Sequence, residues 1–405
     1  TSGYKFRIIS GEEEINSIYT AVINTFNKPK GLIINVSNYS TQVMLYNRRN
    51  ILNTYVIPYG SYNLTEKFYT ENETGLDASE KVTNFMLDQI KDLDWAFNLE
   101  EEYEVIGAGN IFLNLGTISR RAKRYPISVE HNYEMSKADF AKVYDVIKPV
   151  KPVKGSKIKG ITTNDSMYLP CGLAIINAFL SKINKDNFYI SKTGLKEGLL
   201  FNYAIPLTME KPITDNLGYS LQVINDYYDK KPNNAKQVYE LSMILFRQLK
   251  VLHKLSRSYV RILRVASYLH DGGLRISYTN KEKNSFDVIV NSDIYGVSHS
   301  ELVLAGFVSS LRDADNFNLS DWVRYKELVT EEQLDAVKKL AVILKLAESL
   351  DITGFGRIID ISCDILGDSV IMKTITEGNV DLEIKCAMMY SNDFKKAFNK
   401  NLEIL

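Results

Sequence analysis

The stretch Gly31–Val43, GLIINVSNYSTQV, concentrates groups that could hold an anion. An apolar run, Leu32-Ile33-Ile34, leads into Asn35, Ser37, Asn38, Tyr39, Ser40, Thr41 and Gln42, and a second apolar run, Val43-Met44-Leu45-Tyr46, follows. The pattern reads as a strand, a tight turn and a returning strand. A turn that presents successive N–H groups and hydroxyls can cradle a phosphate; the same pattern also suits a polar β-hairpin with no ligand. A second candidate is Gly107-Ala108-Gly109-Asn110, between a strand-like run and a helix start. A helix N-terminus behind a Gly turn favours anions, although many such turns use glycine only to relieve crowding. The densest basic run is Arg120-Arg121-Ala122-Lys123-Arg124. Arg forks bind oxyanions bidentately, while a charge run is more often a solvated face.

These groups depend on elements that the apolar periodicity outlines. Residues 1–116 read as α/β. A strand spans Tyr4–Ile9 and leads to the run Glu12-Glu13-Glu14, and a helix follows over 13–26. The hairpin follows, then an amphipathic helix over 78–94 (Val82, Phe85, Met86, Ile90, Leu93) and a strand–turn–helix unit from Tyr103 to Leu115. Residues 117–208 read as a second α/β lobe. It has helices at 137–147 and 167–183 around a Pro/Lys/Gly loop at 150–156, then a buried strand at 187–190. Residues 210–215 read as a linker. From 217 to about 350 the pattern is helical, at 239–253, 260–270, 300–311 and 330–350, and 351–405 reads as a small β-meander ending in a helix.

Composition narrows the class. The chain has 405 residues, 45% of them apolar, and 49 basic against 49 acidic side chains. Two or three domains are expected. With no net charge, no global field favours a polyanion, so nucleic acid is not an expected partner and any anion site must be local. Cys171, Cys363 and Cys386 show no C-x-x-C spacing, which argues against a disulfide framework or zinc site and fits a reducing, cytoplasmic setting. No signal-like segment or apolar run of membrane length appears, so neither secretion nor a membrane span is expected.

The order of the motifs resembles the exopolyphosphatase/guanosine-pentaphosphate phosphohydrolase (Ppx/GppA) family. Ile9-Ser10-Gly11-Glu12-Glu13-Glu14 is similar to its ISGxEEA segment, Asn35–Gln42 to its DIGGGSTE hairpin, and Pro58–Glu66 (PYGSYNLTE) to its PLGxxxLTE turn. Gly107–Asn110 stands for its G-x-G-G loop, His131–Ser136 for H-x-Y-x-(I/L)-(S/T), and Ser191–Gly198 for S-x-x-G-(L/V)-R-E-G. The resemblance implies an actin/sugar-kinase-like fold of the acetate-kinase superfamily, with two α/β lobes facing a cleft. An HD-like helical domain and a β tail would follow. It also implies Glu14 as the catalytic glutamate that orients the attacking water, and residues 37–41 and 107–110 as phosphate-binding. Mg²⁺ would be the cofactor of an active member, and a homodimer the assembly. Family members open with an earlier strand and a D-x-G-S loop that have no counterpart before Thr1, so a longer natural polypeptide, or a partner over that edge, is expected.

The departures fall on the chemistry. Asn35 and Gln42 replace the family's carboxylates, and Ser37-Asn38-Tyr39 replace its glycines. An amide is a poorer Mg²⁺ ligand than a carboxylate and no general base, and side chains at Gly positions hinder close approach to a phosphate. Leu269-His270-Asp271 looks like the metal doublet of an HD-type domain. The family's H-H-K-H-S reads here Lys281-Glu282-Lys283-Asn284-Ser285, its Y-H reads Ser310-Leu311, and its R-I-A-D reads Lys345-Leu346-Ala347-Glu348. His270 and Asp271 alone would lack ligands, so a helical domain that kept its packing and lost its metal is expected. Three functions stay open. The first is a degenerate member that binds polyphosphate or guanosine polyphosphates with weak or no hydrolysis. The second is an active phosphohydrolase releasing terminal phosphate. The third is a dimeric protein-interaction scaffold.

Overall fold

Strand β1 (Lys30–Val36) is the centre on which the first half of the chain is built. It pairs antiparallel with β2 (Thr41–Asn47), and its other edge pairs parallel with β4 (Glu104–Ala108). β3 (Asn50–Ile57) extends the β2 side, while β6 (Asn187–Ile190) and β5 (Tyr133–Ser136) extend the β4 side. The order is β3-β2-β1-β4-β6-β5. β1 and β2 are apolar on both faces because both faces are covered, as the central strands of a layered α/β sheet must be. Leu32, Ile34, Val36, Val43 and Leu45 face helices Gly75–Gln89, Asn110–Ala122 and Thr163–Lys182. Ile33, Met44, Tyr46, Ile106 and Ala108 face helix Gly11–Thr25 through Ile18, Tyr19, Val22 and Ile23. This computed structural model describes residues 3, 5–99, 102–152, 158–205, 212–228, 232–311 and 319–405.

The chain divides into two units, residues 1–125 with 130–216, and residues 126–129 with 217–405. The boundary expected at 116/117 does not separate two sheets. β6 lies beside β4, with Ile106 opposite Tyr189 and Gly107 opposite Ile190, so both segments share one sheet. The edge of β4 is buried, and its backbone groups need a strand partner. The expected strand over 4–9 is also absent among the described residues. Residues 5–10 have no regular structure, with Phe6 and Ile8 more than nine-tenths exposed, and Tyr4 lies outside the described residues. The expected loop at 150–156 and linker at 210–215 fall partly outside them too.

The second unit is mainly helical, with helices Pro232–Gln248, Tyr259–Leu269, Lys281–Asn291, His299–Ser310 and Glu332–Ser349. Each lies within a few residues of its expected span, with two differences. Helix Lys281–Asn291 falls outside the expected spans, and 239–253 is a longer helix followed by a short turn, Lys250–His253. The tail is not a meander. β7 (Ile358–Leu366) and β8 (Ser369–Thr376) form a hairpin, helices Asp381–Met388 and Ser391–Phe398 follow, and β9 (Asn401–Ile404) returns parallel to β8. A parallel partner needs a crossover, and the two helices supply it. Among the described residues, no helix is long and apolar enough to cross a membrane.

Candidate functional site

The hairpin, the Glu run and the Gly loop converge at the carboxyl ends of β1 and β4, where open α/β sheets place their ligands. Asn35 and Gln42 are cross-strand neighbours in the β1–β2 register. Asn35 Nδ2 donates to Gln42 Oε1 at 2.6 Å, and both side chains are buried. Gln42 Nε2 in turn donates to Glu14 Oε1 at 3.1 Å and to Ser40 Oγ at 2.9 Å. Glu14 reaches this point because Ser10 caps helix Gly11–Thr25, its Oγ accepting from Glu13 N, which sets Glu14 on the first turn. The neighbouring Glu13 points elsewhere, into an exposed pair with Arg7. Of these two glutamates, Glu14 is therefore the one whose carboxylate meets the hairpin.

The turn itself is held from below. Ser37 N and Oγ both donate to the Ser40 carbonyl, and Thr41 Oγ1 donates to the Tyr59 carbonyl. The N–H groups of Ser61 and Tyr62, at the start of helix Ser61–Phe68, donate to the carbonyls of Ser37 and Asn38. Gly60 permits this contact, since a Cβ there would lie 2.4 Å from the Ser37 carbonyl oxygen. The Ser37 and Thr41 hydroxyls thus donate within the turn in this structure. Among the described residues, the backbone N–H groups of Asn38, Tyr39 and Ser40 donate to no other group, an arrangement that could cradle an anion. Tyr39 projects outward, 63% exposed, with its ring 5.1 Å from that of Tyr62, which lies 5.3 Å from that of Tyr168.

Gly107–Asn110 arrives beside Asn35 through the β1–β4 pairing, with Asn35 opposite Ala108. Gly109 has φ +92°, and a Cβ there would sit 2.7 Å from the Val36 carbonyl oxygen and 2.9 Å from Asn35 Oδ1. The loop therefore packs directly against the Asn35 side chain and the end of β1. Asn110 Nδ2, however, donates to Asp165 Oδ1 at 2.7 Å, so a carboxylate stands at this helix start. Asp165 was missed in the sequence. Its signal was the capping pattern Thr162-x-x-Asp165, in which Thr162 Oγ1 accepts from Asp165 N and donates to Asp165 Oδ2.

The basic run does not join the site. Arg120–Arg124 ends helix Asn110–Ala122, whose thirteen residues carry it about 20 Å from the Gly109 end. Arg120 pairs with Glu130 at 2.9 Å and Lys123 with Asp139 at 2.5 Å, while Arg121 and Arg124 are exposed. His131 is a buried clasp whose Nε2 lies 3.3 Å from the Thr25 carbonyl oxygen and whose Nδ1 accepts from Lys192 N. In Ser191–Gly198, Glu197 caps the next helix by accepting from Gly194 N, and Gly198 lets that helix touch Gly11–Thr25.

The second unit gathers a separate charged cluster. His270 and Asp271 end helix Tyr259–Leu269, and Glu348 comes in from Glu332–Ser349, so the doublet has a third metal-capable neighbour. Glu348 and Lys281, aligned with lost family ligands in the sequence, are the members that sequence reasoning left out. Lys281 Nζ lies 3.3 Å from both Asp271 Oδ1 and Glu348 Oε1. Lys345 binds Glu348 Oε2 at 2.9 Å. Burial pushes the Glu348 carboxyl up, but Lys345, His270 and Lys281 outweigh it and hold the group down at about 2.

Comparison with known proteins adds the family. A model described as the Ppx/GppA phosphatase family matches residues 1–205, and one described as Ppx/GppA phosphatase, domain III, matches residues 220–369. A guanosine-5'-triphosphate,3'-diphosphate pyrophosphatase of Pseudoalteromonas translucida is 21% identical over 313 residues, covering 74% of this chain and 58% of its own. The Vibrio atlanticus protein of the same description is 19% identical over 308 residues, with the same coverages. This chain thus spans less than two thirds of the length of those relatives. Among solved structures, a Ppx/GppA family member of Aquifex aeolicus is 18% identical with a TM-score of 0.45, covering 51% of this chain and 67% of that one. An exopolyphosphatase from Cytophaga hutchinsonii is 19% identical with a TM-score of 0.44, covering 48% and 64%.

Proposed function

Because the chain belongs to the Ppx/GppA phosphatase family, we propose that its first unit binds a guanosine polyphosphate or inorganic polyphosphate and hydrolyses it weakly or not at all. The observation that carries this reading is the amide pair Asn35–Gln42. In this pair the Asn35 NH₂ group donates to the Gln42 carbonyl oxygen, and the Gln42 NH₂ group donates to Glu14 and Ser40. An active member would use Mg²⁺, and the residues at this site do not fit it. Mg²⁺ asks for anionic oxygens. Of the three side chains in the chain of bonds only Glu14 offers a carboxylate, and that carboxylate is already bonded to an amide N–H. Losing a positioned acid or base commonly lowers a rate by roughly 10²–10⁴.

Binding needs less than turnover. The N–H groups of Asn38, Tyr39 and Ser40 suit an oxyanion. The exposed Tyr39 ring beside them gives a face on which a purine can stack, which favours a guanosine polyphosphate over a bare chain. The active alternative rests on Glu14, the carboxylate that matches the family's catalytic glutamate. The test is titration of the purified chain with guanosine tetra- and pentaphosphate and with polyphosphate, with and without Mg²⁺, following heat and released phosphate together. Saturable heat without phosphate release is the expected result. Mg²⁺-dependent release that Glu14→Gln abolishes would establish the active alternative, and no binding at all would overturn both.

A further inference from the structure

The cluster in the second unit holds a charge pattern that its helices alone do not require. His270 is 94% buried. Its Nδ1 lies 2.8 Å from the Ser267 carbonyl oxygen, so the hydrogen on that nitrogen is donated there. The other nitrogen, Nε2, makes no hydrogen bond and points at Asp271 Oδ2, 3.4 Å away. A buried imidazole nitrogen that faces a carboxylate oxygen without a hydrogen bond is an arrangement that a cation between them would stabilise. Ligand atoms of His270, Asp271 and Glu348 lie within 4.8 Å of one another, one nitrogen and two carboxylate oxygens, a donor set suited to divalent ions such as Mn²⁺, Ni²⁺ or Zn²⁺. A pocket of about 230 Å³ lined by His270, Asp271 and Asn234 opens onto it.

The cation position is occupied from within the chain. Lys281, at the first turn of helix Lys281–Asn291, places its ammonium 3.3 Å from each of the two carboxylates. With Lys345 on the other oxygen of Glu348, two carboxylates meet two ammonium groups and these charges balance. An added divalent ion would then bring two positive charges into a balanced, largely buried site, which is unfavourable in a low dielectric. Without Lys281 the remaining charge is negative by one, and the open nitrogen and the two freed oxygens converge on one point. Modest rotations of the carboxylates reach bonds of about 2.0–2.2 Å.

We propose that Lys281 is a built-in replacement for a metal ion in a cradle formed by His270, Asp271 and Glu348. The native chain takes no divalent ion there, and loss of the lysine opens a divalent-cation site. The ammonium does the mechanical work that an ion would do, tying the end of Tyr259–Leu269, the start of Lys281–Asn291 and the end of Glu332–Ser349 together. This does not depend on what the first unit binds.

The test compares the native chain, Lys281→Met and the double variant Lys281→Met with His270→Ala. Each is equilibrated with Mn²⁺ or Ni²⁺ in the absence of phosphate ligands, and bound metal is counted by atomic emission. Methionine keeps the apolar stem of the lysine and removes only its charge, and circular dichroism reports that the variant is folded. The expected result is one further equivalent of metal in Lys281→Met and none in the double variant. Thermal unfolding gives a second reading. The native midpoint is unmoved by chelator or by millimolar Mn²⁺, and the Lys281→Met midpoint rises by several degrees with the ion, as ligand linkage requires. Should Lys281→Met not fold, the native chain still decides. An equivalent of metal bound to it and lost in His270→Ala would overturn the proposal. A folded Lys281→Met that binds no more metal than the native chain would overturn it equally.

Discussion

Asn35 Nδ2 donates to Gln42 Oε1 at 2.6 Å across a single register pair of the central hairpin, where two strands bring both side chains into the interior. Two amides in this position stabilise each other without any counter-ion. Two carboxylates in the same position would repel, and with Glu14 next to Gln42 there would be three. Asn35→Asp with Gln42→Glu should therefore lower stability by about 2–4 kcal/mol in chelator, the magnitude of burying unpaired charge. Added Mg²⁺ should recover most of it and raise phosphate release from a guanosine polyphosphate. Urea unfolding with and without Mg²⁺ measures the first, and a phosphate assay the second. A double variant as stable as the native chain without metal would mean that the pair is solvated and not interior.

Tyr39 separates the two proposed ligand classes. If its ring stacks a purine, Tyr39→Ala weakens guanosine tetraphosphate binding by about 5- to 150-fold, since one base–aromatic stack contributes roughly 1–3 kcal/mol. Polyphosphate has no base and should bind within about 2-fold of the native value. Calorimetry on both ligands reads the difference. Equal losses would assign Tyr39 to the turn's structure.

Gly198 positions Glu14 from a distance. A Cβ at 198 would lie 1.8 Å from the Ser17 carbonyl oxygen, backbone that cannot rotate away, so helix Leu195–Ala204 must move off helix Gly11–Thr25. Gly198→Ala should cost about 1–3 kcal/mol, as overpacking does. It should also shift the amide resonance of Gln42, because Glu14 rides on the displaced helix. A thermal scan and a proton–nitrogen NMR spectrum check the two parts separately.

Acid should loosen the second unit first at Glu348. Its carboxyl is ionised down to about 2 in the folded chain, against an ordinary value of 4.5. A carboxyl lowered in this way gives its stabilisation in full above the unfolded value and loses it as pH falls from about 4.5 to 2, a change of about 3 kcal/mol. Asp351 works the other way. Burial, with Glu383 nearby, pushes its carboxyl up, so its protonation on acidification offsets part of the loss. Urea midpoints between pH 6 and pH 3 should fall, and Glu348→Gln should flatten that slope. A slope unchanged in Glu348→Gln would place the acid-sensitive group elsewhere.

The sequence by itself determined the local elements and the order of the motifs. Helix Lys137–Ile147 was legible to the residue, because Ser136 caps it and its apolar spacing is regular. The hairpin 30–47 was legible because two apolar runs flank a polar turn. The replacements at 35 and 42 were visible as letters, and so was the loss of family residues at 281 and 348. Tertiary structure alone decided what those letters do. That Asn35 and Gln42 bond to each other follows from register, which fixes partners between strands and is not local. That β6 joins β4, so that one sheet spans the expected lobe boundary, follows from a buried strand edge that must find partners at any sequence distance. Arg120–Arg124 belongs at the far end of the helix that starts at the Gly loop, a matter of helix length and direction. Lys281 meets Asp271, 10 residues before it, and Glu348, 67 residues after it. Charge composition counts such groups, and only the packing of three helices puts them in contact.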